Sequence, residues 1–193
     1  MVKYRNFEVN ILVDGQALPE YQEEGQVDGA DCKPRKSGRR NTTTITRHIQ
    51  SEVGKNFSIK LLVDEGYYHQ RFDALSASIY VDGAHVDDTM LQLPPDRRTS
   101  STELVDGPTY TAGQGAWKLR RFRFTQLDIS TNPRSDQVQT SRSLNLGIIE
   151  VRFVRGRYIG LHSDQSFHRK QLKACKNVSE KLLKGRAVDT RIE

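Results

Sequence analysis

Clustered arginine and lysine side chains are the residues of this sequence whose types and spacing suggest chemistry. Five cations fall within residues 33–40, a density that suits a nuclear-localisation signal or an arm that contacts nucleic-acid phosphates. A solvated loop, balanced by the acids that precede it, explains the run equally well. The candidate binding residues of this arm are Lys33, Arg35, Lys36, Arg39 and Arg40.

A second group of cations lies on a predicted strand. Arg121 and Arg123 alternate with Phe122 and Phe124, so a strand that buries the phenylalanines carries the arginines on its outer face. Leu119 would then point outward as well, and a β-bulge before Arg121 would return it to the core.

Arg152 and Arg155 extend this row, with Arg157, if their strand is the neighbour of the first. The resulting Arg/Lys stripe would bind nucleic-acid phosphates, with affinity that falls steeply as salt rises, or an acidic protein surface. Stacking aromatic side chains would strengthen the nucleic-acid interpretation. Those available are Trp117, Tyr67, Tyr68 and Tyr110, although Trp117 beside a strand is more typical of core or rim packing.

Catalytic and metal-binding chemistry finds little support in the sequence. It contains no nucleophile elbow, P-loop, dinucleotide fingerprint or His-Glu-x-x-His motif. His85 with Asp87 and Asp88 is compatible with a loosely held metal, but solvated residues beyond a hairpin turn explain the pattern as well. Cys32 and Cys175 are too few and too far apart for a zinc site or a disulfide framework. We therefore predict no enzyme, no catalytic residue, no cofactor and no metal.

The charge of the chain is divided unevenly. Of the net charge of +6, residues 1–110 contribute −4 and residues 111–193 contribute +10. This division suits a polyanionic partner, an acidic protein surface or self-association of opposite faces. With two cysteines, no apolar signal segment and no apolar run long enough to span a bilayer, the sequence predicts an intracellular protein, cytoplasmic or nuclear, without a membrane partner.

Short strands are predicted to position these residues. Period-two alternation of apolar residues predicts strands at 7–13, 57–63, 77–81, 119–124 and 148–154. Asp82 and Gly83 predict a tight hairpin, because both central positions of a type I′ turn need a positive φ. The fold class that follows is all-β, mainly an antiparallel β-sandwich or jelly-roll-like fold, with a short basic helical C-terminal segment.

The predicted organisation is one domain with an appended segment. The domain spans residues 1–160, and a basic segment at 161–193, with a helical pattern at 166–175, is expected to pack on it. Long polar loops are predicted at 22–44, 94–116 and 130–143.

Taken in order, several segments resemble an uncharacterised family of fungal domains of unknown function. The resemblance spans most of the chain and is carried by residues 7–15, 18–21, 52–59, 80–83, 121–124, 147–152 and 178–187. The last of these, Val-Ser-Glu-Lys-Leu-Leu-Lys-Gly-Arg-Ala, is the most specific. The resemblance implies a fungal source, an intracellular β-rich domain and a C-terminal segment that belongs to the folded unit. It implies no activity and carries over no catalytic or binding residue.

Three functions remain open. We favour a non-catalytic interaction module that binds an unidentified protein through sheet edges and loops. The alternative from another class is a nucleic-acid-binding domain that uses the exposed cations. An enzyme of unknown class is the third, since a pocket lined by His69, His85 or tyrosine side chains is compatible with the sequence. The oligomeric state is left open.

Overall fold

The computed structural model describes residues 2–22, 44–65, 72–92, 99–111, 116–126, 129–130, 145–157, 178–179 and 190–192. The regular structure within these ranges is all β, which confirms the all-β part of the predicted fold class. The pairs are antiparallel except β13 with β15. The strands are β1 (Val2–Tyr4), β2 (Phe7–Val13), β3 (Gln16–Ala17), β4 (Glu20–Tyr21), β5 (His48–Ile49), β6 (Asn56–Val63), β7 (Ala74–Val81), β8 (Ala84–Gln92), β9 (Ser101–Val105), β10 (Thr109–Thr111), β11 (Trp117–Leu119), β12 (Phe122–Gln126), β13 (Ile129–Ser130), β14 (Ile149–Gly156), β15 (Val178–Ser179) and β16 (Thr190–Ile192).

The larger sheet has seven strands arranged around β6. Its main path runs β1-β2-β6-β12-β16, with β3 paired to β2. One edge of β6 pairs with β2, and the other edge is shared by β9 and β12. β9 pairs with residues 59–63 of β6, whereas β12 pairs with residues 56 and 57. β9 and β12 therefore lie end to end, and the chain that joins them leaves the sheet.

The smaller sheet has three strands in the order β14-β7-β8. β7 and β8 form the hairpin that the sequence predicts, and Asp82 and Gly83 both have positive φ, at 50° and 72°. A β-bulge at Val86 of β8 interrupts the register between Ile79 and Tyr80. The bulge resets which side chains of β8 share a face with those of β7.

The core lies between the seven-stranded sheet and the three-stranded sheet. Alternate residues of β6 and β7 are almost wholly buried, because every second side chain of a strand points to the same face. Phenylalanine rings stack at one end of the core, where the ring centroid of Phe57 lies 4.5 Å from that of Phe124 and 5.1 Å from that of Phe122. One apolar core therefore joins both sheets. The buried residues of β6 and β7 include Phe57, Ile59, Leu61, Val63, Leu75, Ala77, Ile79 and Val81.

The prediction of a single strand at 119–124 is wrong, because this segment contributes to two strands. β11 ends at Leu119 and pairs with β10, whereas β12 begins at Phe122 and pairs with β6. Leu119 is 44% exposed, so a β-bulge does not return it to the core. The physical reason is a change of partner at residues 120 and 121, where the chain leaves a hairpin and enters the larger sheet.

The predicted loops and C-terminal segment have different outcomes. The loop predicted at 94–116 contains β9 and β10, so that prediction is wrong for those residues. The loops at 22–44 and 130–143 lie almost entirely outside the described residues, as does the predicted helix at 166–175. In the basic C-terminal segment, β15 pairs with β13 and β16 pairs with β12. The described ranges contain no helix long and apolar enough to cross a bilayer.

Candidate interaction surface

β10 and β11 form a hairpin that carries large side chains into solvent. Its register pairs Thr109 with Leu119 and Thr111 with Trp117. Trp117 and Leu119 lie on the same face, because alternate residues of a strand share one. Trp117 is 65% exposed and Leu119 44%, whereas Phe122 in the next strand is 2% exposed. We call the side of Trp117 and Leu119 the apolar face of the hairpin.

The opposite side of the hairpin combines an aromatic ring with cations. Tyr110 pairs with Lys118 and is 43% exposed. Arg120 continues the register, since its amide donates to the carbonyl of Pro108 at 2.9 Å. Lys118 and Arg120 are exposed, and neither forms an ion pair with an acid in the part of the chain that the structure describes. We call the side of Tyr110, Lys118 and Arg120 the basic face.

The base of the hairpin is held by a close backbone contact. The amide of Phe122 donates to the carbonyl of Asp106 at 2.9 Å. Gly107 has a φ of 150°, and a Cβ atom at this position would lie 1.9 Å from the carbonyl oxygen of Arg120. Only glycine lets the two backbones approach so closely. The larger sheet therefore fixes where the hairpin leaves it.

A second polar group lies on the outer face of the smaller sheet, in two adjacent rows across its three strands. The central residue of each row belongs to β7 and faces one residue of β14 and one of β8. The rows form one surface, because paired residues of neighbouring strands share a face. We call this surface the outer cluster. The first row is Glu150, Tyr80 and His85, and the second is Arg152, Ser78 and Asp88.

Two neighbours hold Arg152 within the outer cluster. Its Nε donates to Oε1 of Glu150 at 2.7 Å and its Nη2 to Oε2 at 2.9 Å, which makes a bidentate pair. Its guanidinium carbon lies 4.3 Å from the centroid of the Tyr80 ring, within the range of a cation–π contact. The hydrogen bond to Glu150 is the main cause that raises the pKa of Arg152.

His85 and Asp88 form the other side of the outer cluster. Nε2 of His85 lies 3.0 Å from Oδ2 of Asp88, and the His85 ring meets the Tyr80 ring edge-on at 5.1 Å. Partial burial acts to raise the pKa of Asp88, but hydrogen bonds from Ser78 and His85 outweigh it and lower this pKa. The Ser78 hydroxyl bonds to the carboxylate and not to the imidazole, so these residues are not arranged to activate a serine nucleophile.

The predicted site residues fall on separate surfaces. Arg123 is exposed on β12 of the larger sheet, where its Nε donates to the carbonyl of Gly54 at 3.2 Å, and the exposed Arg121 directly precedes that strand. Arg152 belongs to the outer cluster of the smaller sheet. Arg155, three residues further along β14, lies on the opposite face of that strand from Arg152.

The prediction that these four arginines form one stripe is therefore wrong. β12 and β14 belong to different sheets and are not neighbours. The alternation within each strand is compatible with a common stripe, and only the long-range pairing decides which strands meet. Binding by Arg121, Arg123, Arg152 or Arg155 stays a prediction, and the arm of five cations at 33–40 lies outside the described residues.

The metal considered for His85, Asp87 and Asp88 has no assembled site. His85 contacts Asp88, and Oδ1 of Asp87 accepts a hydrogen bond from the backbone amide of Asp88 at 2.9 Å. Across the ranges given above, no group of three or more His, Cys, Asp or Glu side chains is placed to hold a metal ion. His69 and both cysteines lie outside those ranges.

The apolar face of the hairpin was not predicted from the sequence. A tryptophan beside a predicted strand, such as Trp117, is typically packed in the core or at its rim. Trp117 nevertheless has the highest exposure among the large hydrophobic residues described. Gly107 and Gly113 bracket a short run that contains Thr109, Tyr110 and Thr111, and Gly115 precedes a second run that contains Trp117 and Leu119. That spacing is the signal from which the hairpin could have been predicted.

Comparison with known proteins gives a family without a function. A family model described as a domain of unknown function (DUF7918) matches residues 6–193. This range takes in the hairpin, the outer cluster and every described strand except β1. No curated protein and no solved structure matches the chain.

Proposed function

Since the chain belongs to this family, DUF7918, whose description assigns no activity, we propose its function from its own surface. It is a non-catalytic interaction module that binds another protein through the hairpin of β10 and β11. The family resemblance predicted from the sequence motifs is confirmed. The fungal source, the intracellular setting and the specificity of the motif at 178–187 stay predictions.

The exposure of Trp117 carries this proposal. Burial of a side chain of this size in a partner would contribute on the order of 2 kcal/mol through the hydrophobic effect. Leu119 extends the apolar surface on the same face of the hairpin. Tryptophan, tyrosine and arginine side chains supply much of the binding energy at protein interfaces, where they occupy the desolvated centre.

The side chains around Trp117 suit the rest of such an interface. Lys118, Arg120 and Arg121 are exposed close to it in the chain. Protein interfaces commonly combine a desolvated aromatic centre with a polar rim, and complementary charges at the rim speed association. The close contact at Gly107 fixes the base of the hairpin, which reduces the conformational entropy lost on binding.

Selection of peptides that bind the intact chain, from a random library displayed on phage, tests this proposal. Trp117 is the sole tryptophan of the chain, so a shift of its emission to shorter wavelengths reports burial of this side chain. Enriched peptides are then labelled and titrated by fluorescence anisotropy. We expect Trp117→Ala to weaken their binding by about tenfold or more, as for the loss of a residue central to an interface.

Val154→Ala is the matched control for this experiment. Val154 is 51% exposed but lies on the outer face of the smaller sheet, so its loss removes an exposed apolar side chain elsewhere. We expect peptide affinity to be unchanged in this variant. The proposal fails if no peptide is enriched, or if Trp117→Ala and Val154→Ala bind the enriched peptides alike.

Binding of single-stranded nucleic acid is the second candidate function, and the adjacency of Trp117 to cations favours it. Bases stack on aromatic rings while lysine and arginine side chains bind phosphates. Anisotropy of labelled oligonucleotides from about 50 to about 200 mM salt tests it, since affinity should fall steeply over that range. Arg121→Gln combined with Arg123→Gln should reduce the salt dependence. Absence of binding at the low-salt end would exclude this candidate.

A further inference from the structure

We infer that the partner of the hairpin is an acidic polypeptide segment that contacts both of its faces. The inference rests on the proposed function and names the chemistry of the partner. Carboxylates of the segment bind Lys118 and Arg120 on the basic face, while an apolar side chain packs on Trp117 and Leu119 on the apolar face.

The hairpin is accessible from both sides. A strand packed on a protein buries every second side chain, as β12 does with Phe122 and Phe124. In β11 this alternation is absent, and residues 116–120 are all exposed. Side chains on both faces of β11 therefore have surface open to solvent, and a partner segment can reach both faces.

The cations of the basic face are not paired with acidic side chains of the described residues. Two other exposed lysines of the described residues have an acid close by, since Lys3 and Lys55 each lie within 2.8 Å of an aspartate oxygen. Lys118 and Arg120 have no such acid within the ranges that the structure covers. Carboxylates from another chain would supply the missing charge, and guanidinium and carboxylate groups pair with good geometry.

The placement of the aromatic rings favours a polypeptide over a nucleic acid. Strand-binding proteins stack successive bases on aromatic rings that line one groove. Here Trp117 pairs with Thr111 and Tyr110 with Lys118, so the two rings lie on opposite faces of the hairpin. The neighbour of Trp117 on its own face is the aliphatic Leu119, which suits an apolar side chain better than a second base.

The test uses the intact chain and the peptides enriched by the selection described above. Their affinities are measured at about 50 and about 200 mM salt, because exposed charge pairs weaken with ionic strength. The same titrations are run on the double variant Lys118→Gln and Arg120→Gln. The matched control is Lys3→Gln with Lys55→Gln, which removes the same charge from exposed lysines outside the hairpin.

We expect the enriched peptides to be rich in Asp and Glu around a large apolar residue. The Lys118→Gln and Arg120→Gln variant should bind these peptides about tenfold more weakly at low salt, because it loses two exposed charge contacts. Its affinity should also change little with salt concentration. The control should bind like the unaltered chain. An oligonucleotide of thymidine, titrated in parallel, should bind more weakly than the peptides.

Separate outcomes overturn the two proposals. If Trp117→Ala leaves peptide binding unchanged, the proposed function fails and the inference fails with it. If Trp117→Ala weakens binding but the peptides show no excess of acids, only the inference fails. It also fails if the Lys118→Gln and Arg120→Gln variant matches its control, or if the thymidine oligonucleotide binds more tightly than the peptides.

Discussion

The outer cluster and the hairpin contain similar side chains in opposite circumstances. In the outer cluster, Arg152 is paired with Glu150 and stacked on Tyr80, and His85 contacts Asp88. On the basic face of the hairpin, cations and a tyrosine point into solvent without an acid from the described residues. The first surface satisfies its own charges, whereas the second leaves them available to a partner.

This difference teaches that residue type alone does not identify a binding surface. A cation already held by an acid and an aromatic ring must give up those contacts before it binds a ligand, and this cost offsets much of the gain. An exposed cation without such contacts loses only part of its hydration and of its side-chain conformational entropy when it binds. Arg152 is therefore a weaker candidate for ligand binding than Lys118 or Arg120. The sequence alone gives no reason to rank it lower.

The largest effect is expected from the apolar side chains of β12 and β14. Phe124→Ala should cost about 3–5 kcal/mol in the free energy of unfolding, because its ring is 2% exposed and stacks on Phe57. Phe153→Ala, beneath the outer cluster on β14, should cost less, since Phe153 is only partly buried. Urea denaturation measures both. A loss below about 1 kcal/mol for Phe124→Ala would contradict the burial described for β12.

The next largest effect is expected at the base of the hairpin. Gly107→Ala places a Cβ atom against the Arg120 carbonyl oxygen, so the backbone must shift, at a cost of about 1–3 kcal/mol. Gly156→Ala in β14 is the control, because a Cβ atom there meets nothing within 4 Å. Thermal unfolding should show a lower melting temperature for the first variant only. Equal melting temperatures would show that the hairpin base tolerates a side chain.

A smaller difference in stability is expected between variants that replace one arginine in each region. Arg152→Gln should cost about 0.5–1 kcal/mol, since it removes an exposed ion pair and a cation–π contact. Arg121→Gln should change stability by less than about 0.5 kcal/mol, as for a surface residue outside such contacts. Urea denaturation of the two variants under the same conditions measures the difference. The reverse order would mean that the contacts of Arg152 do not stabilise the fold.

The smallest effect concerns acid pH. The pKa of Asp88 lies below its ordinary value of 3.8, so its contribution to stability is complete above that pH and is lost as the pH falls through the lowered pKa. Ser78→Ala removes one hydrogen bond to the carboxylate and should raise this pKa. Carboxyl carbon shifts from NMR, recorded during an acid titration, measure both proteins. An identical midpoint would rule out the Ser78 hydrogen bond.

Local patterns in the sequence were sufficient to predict β2, β6, β7 and β14 and the hairpin of β7 and β8. Phe57 to Val63 alternates strictly, and Asp82 with Gly83 supplies the two positive φ angles of the turn. The exchange of partners after Leu119 was not predictable in this way, because the alternation around it fits a single strand almost as well. Sheet membership of β12 and β14 depends on contacts distant in the chain, which local periodicity does not encode.

The position of the hairpin between β9 and β12 gives the fold a site for variation in length. These strands lie end to end along one edge of β6, so the register of the sheet depends on them and not on the excursion between them. Residues inserted into that excursion would leave every pair of the larger sheet in place, at the small entropic cost of a longer loop. The same position is therefore suited to grafting a foreign epitope or binding sequence onto this scaffold.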